Sequence, residues 1–253
     1  RVKYGKDLNP LDVTADSPGE TTEHIVRLDQ LSPDTKYYYS IGSAEEELAG
    51  KNANYFFITS PQAGRGKPAR IWAIGDSGSA DQNQKNVRDA YFTYAGARPA
   101  DVWLLLGDNA YVSGTDSEYQ AAVFDMYPRV LSSTVLWPAI GNGDAKSADS
   151  ATQSGVYYDV FTLPTEAQAG GEASATEAYY SFDYGELHFI CLNSHDSDRS
   201  RSGRMMAWLK RDLAQSKNRR WLIAYWHHAP YSKGSCPTDG PDKKAGLRCV
   251  EML

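Results

Sequence analysis

The chain has 253 residues, of which 41% are hydrophobic and 23% charged, and a formal net charge of −6. That suits one large or two smaller globular domains with a buried core. The acidic balance argues against a nucleic-acid partner, and no apolar run is long enough to span a membrane.

The chain starts at Arg1 with no initiator Met and no leader, which reads as a processed or trimmed N-terminus. Residues 1–62 are β-like. His24–Leu28 alternates, Pro33-Asp34-Thr35 makes a turn, and Tyr37–Gly42 and Tyr55–Thr59 read as strands. These suggest part of a small β-sandwich. Residues 63–69 form a linker rich in Gly, Pro and basic residues.

The rhythm then changes for residues 70–253. Ile71–Ile74 is a short buried strand. Residues 81–95 predict a helix with Val87, Tyr91 and Tyr94 on one face. Val102–Leu106 is a second buried strand. Residues 117–127 predict a helix striped by Tyr119, Val123 and Met126, which Pro128 helps to end. Val135–Ile140 is a third strand. This β-α-β-α-β order predicts strands covered on both faces. Residues 150–177 read as a long loop. Tyr179–Asp183 and Leu187–Asn193 form a hairpin, 203–216 a helix with Met205, Leu209 and Leu213 inside, and Trp221–Trp226 a last buried strand.

Of the three cysteines, Cys191 lies in an apolar run and reads as a buried thiol. Cys236 and Cys249 sit in a polar segment. They are either a loop-closing disulfide of an oxidising compartment or two separate thiols. No spacing fits a zinc motif.

One pattern recurs. Three strands end in Gly75-Asp76, Gly107-Asp108 and Gly141-Asn142, and a fourth in His227-His228. In open α/β sheets ligands bind at the carboxyl ends of strands, so each strand delivers one side chain to a common edge. Two Asp, an Asn and a His make an oxygen and nitrogen shell suited to iron, manganese or zinc. Two such ions can clamp the attacking and leaving oxygens of phosphoryl transfer.

In this order, "GDSG", "GDNAY", "GN-x-D" and "HHAPY" resemble the metallophosphoesterases, specifically the purple acid phosphatase-like group of the calcineurin-like phosphoesterases. The tyrosine of "GDNAY" is the most specific feature. "VRLDQLSPDTKYYYSIG" and "YFFITSP" resemble that group's fibronectin-like N-terminal domain from its middle strands onward. The resemblance implies an α/β fold. It consists of a metallophosphoesterase α/β/β/α sandwich, incomplete at its C-terminus, after a partial fibronectin III-like β-sandwich.

It further implies a dinuclear metal centre, Fe with Fe, Zn or Mn, and a metal-bound hydroxide that hydrolyses phosphate esters. Asp76 would bind the first metal, Asp108 would bridge both, and Tyr111 would bind the first as a phenolate. Asn142 and His228, the histidine directly before Ala-Pro, would bind the second. His227 would touch substrate or pack. The implied setting is secreted, cell-surface or periplasmic. The partner is a phosphate ester rather than a nucleic acid or a membrane, and the oligomeric state is open.

The sequence departs from the family pattern twice. The third-strand motif is Gly-Asn-His-Asp/Glu in the family, and here Gly143 takes the place of the histidine that contacts phosphate and helps the leaving group depart. Such general-acid help is worth about 10²–10⁴ in rate. The family's closing Gly-His-x-His motif does not occur either, so the sequence reads as a fragment trimmed at both ends. The second reading is therefore a pseudo-phosphatase with a binding or structural role. A third, an esterase of nucleotides or phosphodiesters, is disfavoured by the tyrosine of "GDNAY".

Overall fold

The computed structural model describes residues 1–17, 19 and 21–230. Five N-terminal strands, β1 (Val2–Gly5), β2 (Val13–Ala15), β3 (Lys36–Gly42), β4 (Glu47–Gly50) and β5 (Phe56–Ile58), form one antiparallel sheet. Its order is β2-β1-β3-β4, with β5 also paired to β3. Tyr37 on β3 meets Tyr4 edge-on and stacks on Phe57 with centroids 5.4 Å apart. His24–Leu28, read as a strand, is irregular, and its Ile25 is 66% exposed. Among the described residues its alternation pairs with no other strand.

Beyond the linker come β6 (Ile71–Ile74), α1 (Gln82–Ala95), β7 (Val102–Leu105), α2 (Asp116–Tyr119, continued by a π-helical turn to Phe124), α3 (Pro128–Leu131) and β8 (Leu136–Pro138). Strands β6, β7 and β8 are parallel neighbours in that order, and β7 is buried along its whole length. This is the expected β-α-β-α-β order. The 150–177 region carries more structure than a loop: β9 (Ala148–Asp149) pairs with β10 (Ser154–Gly155), and α4 spans Val156–Val160. Next come β11 (Tyr180–Tyr184), β12 (Leu187–Cys191), α5 (Arg204–Gln215) and β13 (Trp221–Tyr225). β11 and β12 pair antiparallel, whereas β12 and β13 run parallel.

The two C-terminal sheets face each other through one apolar core. Leu104 of β7, Phe182 of β11, Phe189 of β12 and Tyr225 of β13 share it. Trp137 stacks on Phe182 at 3.8 Å, and Phe182 on Phe189 at 4.6 Å. Outside the first sheet, Tyr91 of α1 stacks on Trp72 at 3.8 Å. Outside the second, Met205, Trp208 and Leu209 of α5 pack on Ile190 and Leu192. The layering is helix, sheet, sheet, helix. Each large side chain so buried contributes about 1.5–3 kcal/mol.

Some expected faces are turned. In α1, Val87 and Tyr94 are exposed, and the inner face carries Gln84, Tyr91 and Ala95 instead. Buried Gln84 is tolerated because its amide donates to the Ala122 carbonyl and the Tyr127 hydroxyl. Pro128 opens α3 at a position where the missing N–H costs nothing. Leu213 is partly exposed, while its neighbour Asp212 is fully buried. Trp221 and Leu222, read as buried, are 59% and 47% exposed, since β13 is an edge strand among the described residues. Cys191 is a buried free thiol, as expected. The Cys236–Cys249 question lies outside the described residues. Among those residues no helix is long and apolar enough to cross a membrane.

Asp212 belongs to a buried charge network. Fully buried His188 bonds Asp183 through Nδ1 at 2.8 Å and Asp212 through Nε2 at 2.7 Å, and Arg219 bonds Asp183. Burial alone would lower the imidazole pKa, but the two carboxylates outweigh it and raise it to about 9. A raised folded-state pKa stabilises fully below the unfolded value of 6.5. That share of stability is therefore expected to fade as pH rises through about 9. Melting temperature measured from pH 6 to 10 should show this fall in the native chain and a flatter profile in His188→Gln.

Candidate metal centre

Parallel pairing sets the carboxyl ends of β6, β7 and β8 along one edge, and each strand leads directly into its motif loop. The loops interlock. Asp76 N–H donates to the Gly107 carbonyl (3.1 Å), Gly78 N–H to the Asp108 carbonyl (3.2 Å), and Tyr111 N–H to the Gly78 carbonyl (2.8 Å). Asp76 and Asp108 both sit in the left-handed region, at φ 51° and 52°. Non-glycine residues seldom adopt it, and such strain gathers at functional sites.

The glycines are there for close approach. A Cβ on Gly107 would fall 2.6 Å from the His227 ring, and one on Gly141 would fall 2.1 Å from the Asp108 nitrogen. Gly141→Ala is therefore expected to push the Asp108 loop aside and to cost about 1–3 kcal/mol, as overpacking does. Urea unfolding would measure it.

Asp76, Asp108 and His227 form the group whose ligand atoms converge, all within 4.8 Å of one another. The Tyr111 hydroxyl donates to Asp76 Oδ1 at 2.8 Å. Burial, helped by Asp76 and Asp108, pushes the phenol pKa far up. His227 Nδ1 lies 3.0 Å from the Leu106 carbonyl. A carbonyl only accepts, so Nδ1 is the donor in that contact, and Nε2 is the ring nitrogen that points at the cluster. There Nε2 faces Asn142 Oδ1 at 3.2 Å and Asp108 Oδ1 at 3.5 Å. Carboxylate, amide and imidazole acceptors facing one another fit a cation of the iron, zinc or manganese type. The Leu106 bond orients the ring as outer partners of metal-bound histidines do.

Asp76, Asp108, Tyr111 and Asn142 are thus brought together, but the histidine that joins them is His227 and not His228. His228 Nδ1 meets the Ser194 hydroxyl at 2.9 Å, and its backbone N–H donates to the same oxygen at 3.0 Å. Burial, with His227 and His195 close by, lowers its pKa to about 4.

Two further acids hold the loops, and the motif reading had given neither a role. Asp144, fully buried, accepts from Gly141 N–H (2.8 Å), Asn109 N–H (3.0 Å), Asn109 Nδ2 (3.0 Å) and the Tyr119 hydroxyl (2.7 Å). Burial pushes its pKa up to about 6 despite these bonds. It ties the second-strand loop to the third. Glu118 accepts from the Thr115, Val112 and Ser113 N–H groups, which lower its pKa to about 2 and brace the turn after Tyr111. Its spacing from Thr115 is a capping box, a signal readable in sequence. At Gly143 the backbone N–H donates to Asp108 Oδ1 at 2.6 Å, and φ is −67°, which suits any residue.

Comparison with known proteins agrees with the motifs. Residues 69–251 match the family model described as calcineurin-like phosphoesterase. Purple acid phosphatase 15 of Arabidopsis thaliana is 28% identical over 234 residues, covering 83% of this chain and 42% of that protein. Purple acid phosphatase 21 of the same plant is 25% identical over 247 residues, covering 91% and 51%. The chain spans about half the length of such relatives. A purple acid phosphatase from yellow lupin (Lupinus luteus) seeds shares the fold with a TM-score of 0.61, at 19% identity over 82% of this chain and 39% of that one.

Proposed function

The chain belongs to the calcineurin-like phosphoesterase family, and from that premise we propose that it hydrolyses phosphomonoesters at a dinuclear metal centre. The convergence of Asp76, Asp108 and His227 at the ends of parallel strands carries this reading. Asp76 and Tyr111 would hold one metal and Asn142 and His227 the other, with Asp108 available to both. Iron in the Tyr111 position, with iron, zinc or manganese as its partner, suits a phenol oxygen and a carboxylate. Bound there, such ions neutralise phosphate oxygens and lower the pKa of water.

The chain's own residues supply the geometry. Gly143 N–H fixes the Asp108 carboxylate, the Leu106 carbonyl fixes the His227 ring, and Asp76 fixes the Tyr111 hydroxyl. This spares the site reorganisation at the moment of reaction. The N-terminal sheet is a fibronectin-like accessory unit, and the setting is extracellular or periplasmic, as in the exported enzyme that the motifs resemble.

The test is metal analysis of the full-length protein together with hydrolysis of a chromogenic phosphomonoester. The expected result is bound metal and turnover. Bound metal with no turnover on any phosphomonoester would overturn the hydrolase reading. Gly143→His is expected to raise kcat by about tenfold or more, the low end of general-acid help. Steady-state kinetics on both forms would measure the gain.

A further inference from the structure

The apolar core between the two C-terminal sheets contains a small polar knot. Register sets Tyr180, Cys191 and Tyr225 side by side across β11, β12 and β13. The carbonyl of Pro138, the last residue of β8, accepts from the Tyr180 hydroxyl at 2.7 Å, the Tyr157 hydroxyl at 3.0 Å and the Cys191 thiol at 3.7 Å. The Tyr225 hydroxyl lies 3.0 Å from that of Tyr180. A carbonyl only accepts, so Tyr180 gives its one proton to Pro138, and Tyr225 donates to Tyr180. All of these side chains are buried, and burial raises the pKa of the three phenols, which keeps them protonated as donors.

The knot begins as an answer to a backbone need. Among the described residues β8 is the edge strand of its sheet, and Ala139 N–H turns to the Leu105 carbonyl of β7. Peptide groups alternate along a strand, so the Pro138 carbonyl points away from β7, and a buried carbonyl must find a donor. Proline suits an edge strand, whose outer side needs no N–H. One donor would satisfy the oxygen, yet α4, β11 and β12 each supply one. Both ends of the hydroxyl chain also lead to the candidate metal ligands. Pro138 lies four residues before Asn142, and Tyr225 two before His227. The ring closes where His227 Nε2 meets Asn142 Oδ1 at 3.2 Å. Apolar packing between the sheets is non-directional, whereas these hydrogen bonds have a preferred length and angle.

We propose that Tyr180 and Tyr225 are positioning residues of the metal centre: their linked hydroxyls tie the end of β8 to the end of β13 and so set the spacing of Asn142 and His227. The inference rests on the metal-centre reading given above. Tyr157 holds the same carbonyl from α4, outside the Tyr180–Tyr225 link, and so separates positioning from core packing.

The test titrates zinc into metal-depleted, full-length protein by calorimetry. The native chain is expected to take up zinc in two steps. Tyr180→Phe and Tyr225→Phe keep the shape of the ring and cut the link. Each should weaken one zinc step by about tenfold to a hundredfold, the worth of groups that orient a metal ligand, and leave the other step unchanged. The double variant should be no weaker than the worse single one, because both substitutions cut one link. Tyr157→Phe should keep both native affinities. Native zinc affinity in both Tyr180→Phe and Tyr225→Phe, or an equal loss in Tyr157→Phe, would overturn the proposal while leaving the metal centre in place. A native protein that takes up no zinc would overturn the metal-centre reading itself.

Discussion

Asp108→Asn is expected to empty the metal centre while leaving the fold in place. The substitution keeps the shape of the side chain and removes its charge. Asp108 is only 4% exposed, its Oδ1 accepts from Gly143 N–H, and the same oxygen faces His227 Nε2 at 3.5 Å. An amide there offers one neutral oxygen where a carboxylate offers two charged ones. Even residues that merely orient a ligand are worth about 10–100-fold in metal affinity, so losing the shared ligand should exceed that. Metal per chain should fall by more than half after dialysis. Turnover should drop by about 10²–10³ or more, as when one transition-state contact is lost. The melting temperature should stay within a few degrees. Unchanged metal content would place the centre elsewhere.

Asp144→Ala has the opposite signature, a loss of stability first. The fully buried carboxylate satisfies four donors: the Gly141 and Asn109 N–H groups, the Asn109 amide and the Tyr119 hydroxyl. A buried donor left unsatisfied costs about 1–3 kcal/mol. Relaxation will recover some of this, so the expected total is about 3–5 kcal/mol, in the range where single substitutions count as severe. Because Asp144 joins the loops that carry Asp108 and Asn142, metal affinity should fall with it. Urea denaturation gives the first quantity and metal titration the second. A stability change below about 1 kcal/mol would mean that the loops hold together without it.

Much of this was readable before the fold. Apolar runs broken by Gly-Asp or Gly-Asn mark strand ends, and parallel strands put those ends on one edge, so the shared edge of Asp76, Asp108 and Asn142 could be read from pattern alone. The choice between His227 and His228 was not readable in the same way. After a strand, successive side chains point to opposite sides, and which one faces the site depends on how β13 docks. Gly107 packing against the ring of His227 decides it, and that contact is 120 positions away in sequence. Face errors in α1 have a similar cause: Gln84 is buried because acceptors on another segment, the Ala122 carbonyl and the Tyr127 hydroxyl, take its amide hydrogens, which no periodicity reveals.

We propose that the metal is held by His227 together with Asp76 and Asp108. This assignment is tested most directly by metal stoichiometry in two single variants of the full-length protein, His227→Ala and His228→Ala. His227→Ala is expected to lose metal while His228→Ala keeps nearly the native content. Retention in His227→Ala, with loss in His228→Ala, would contradict it.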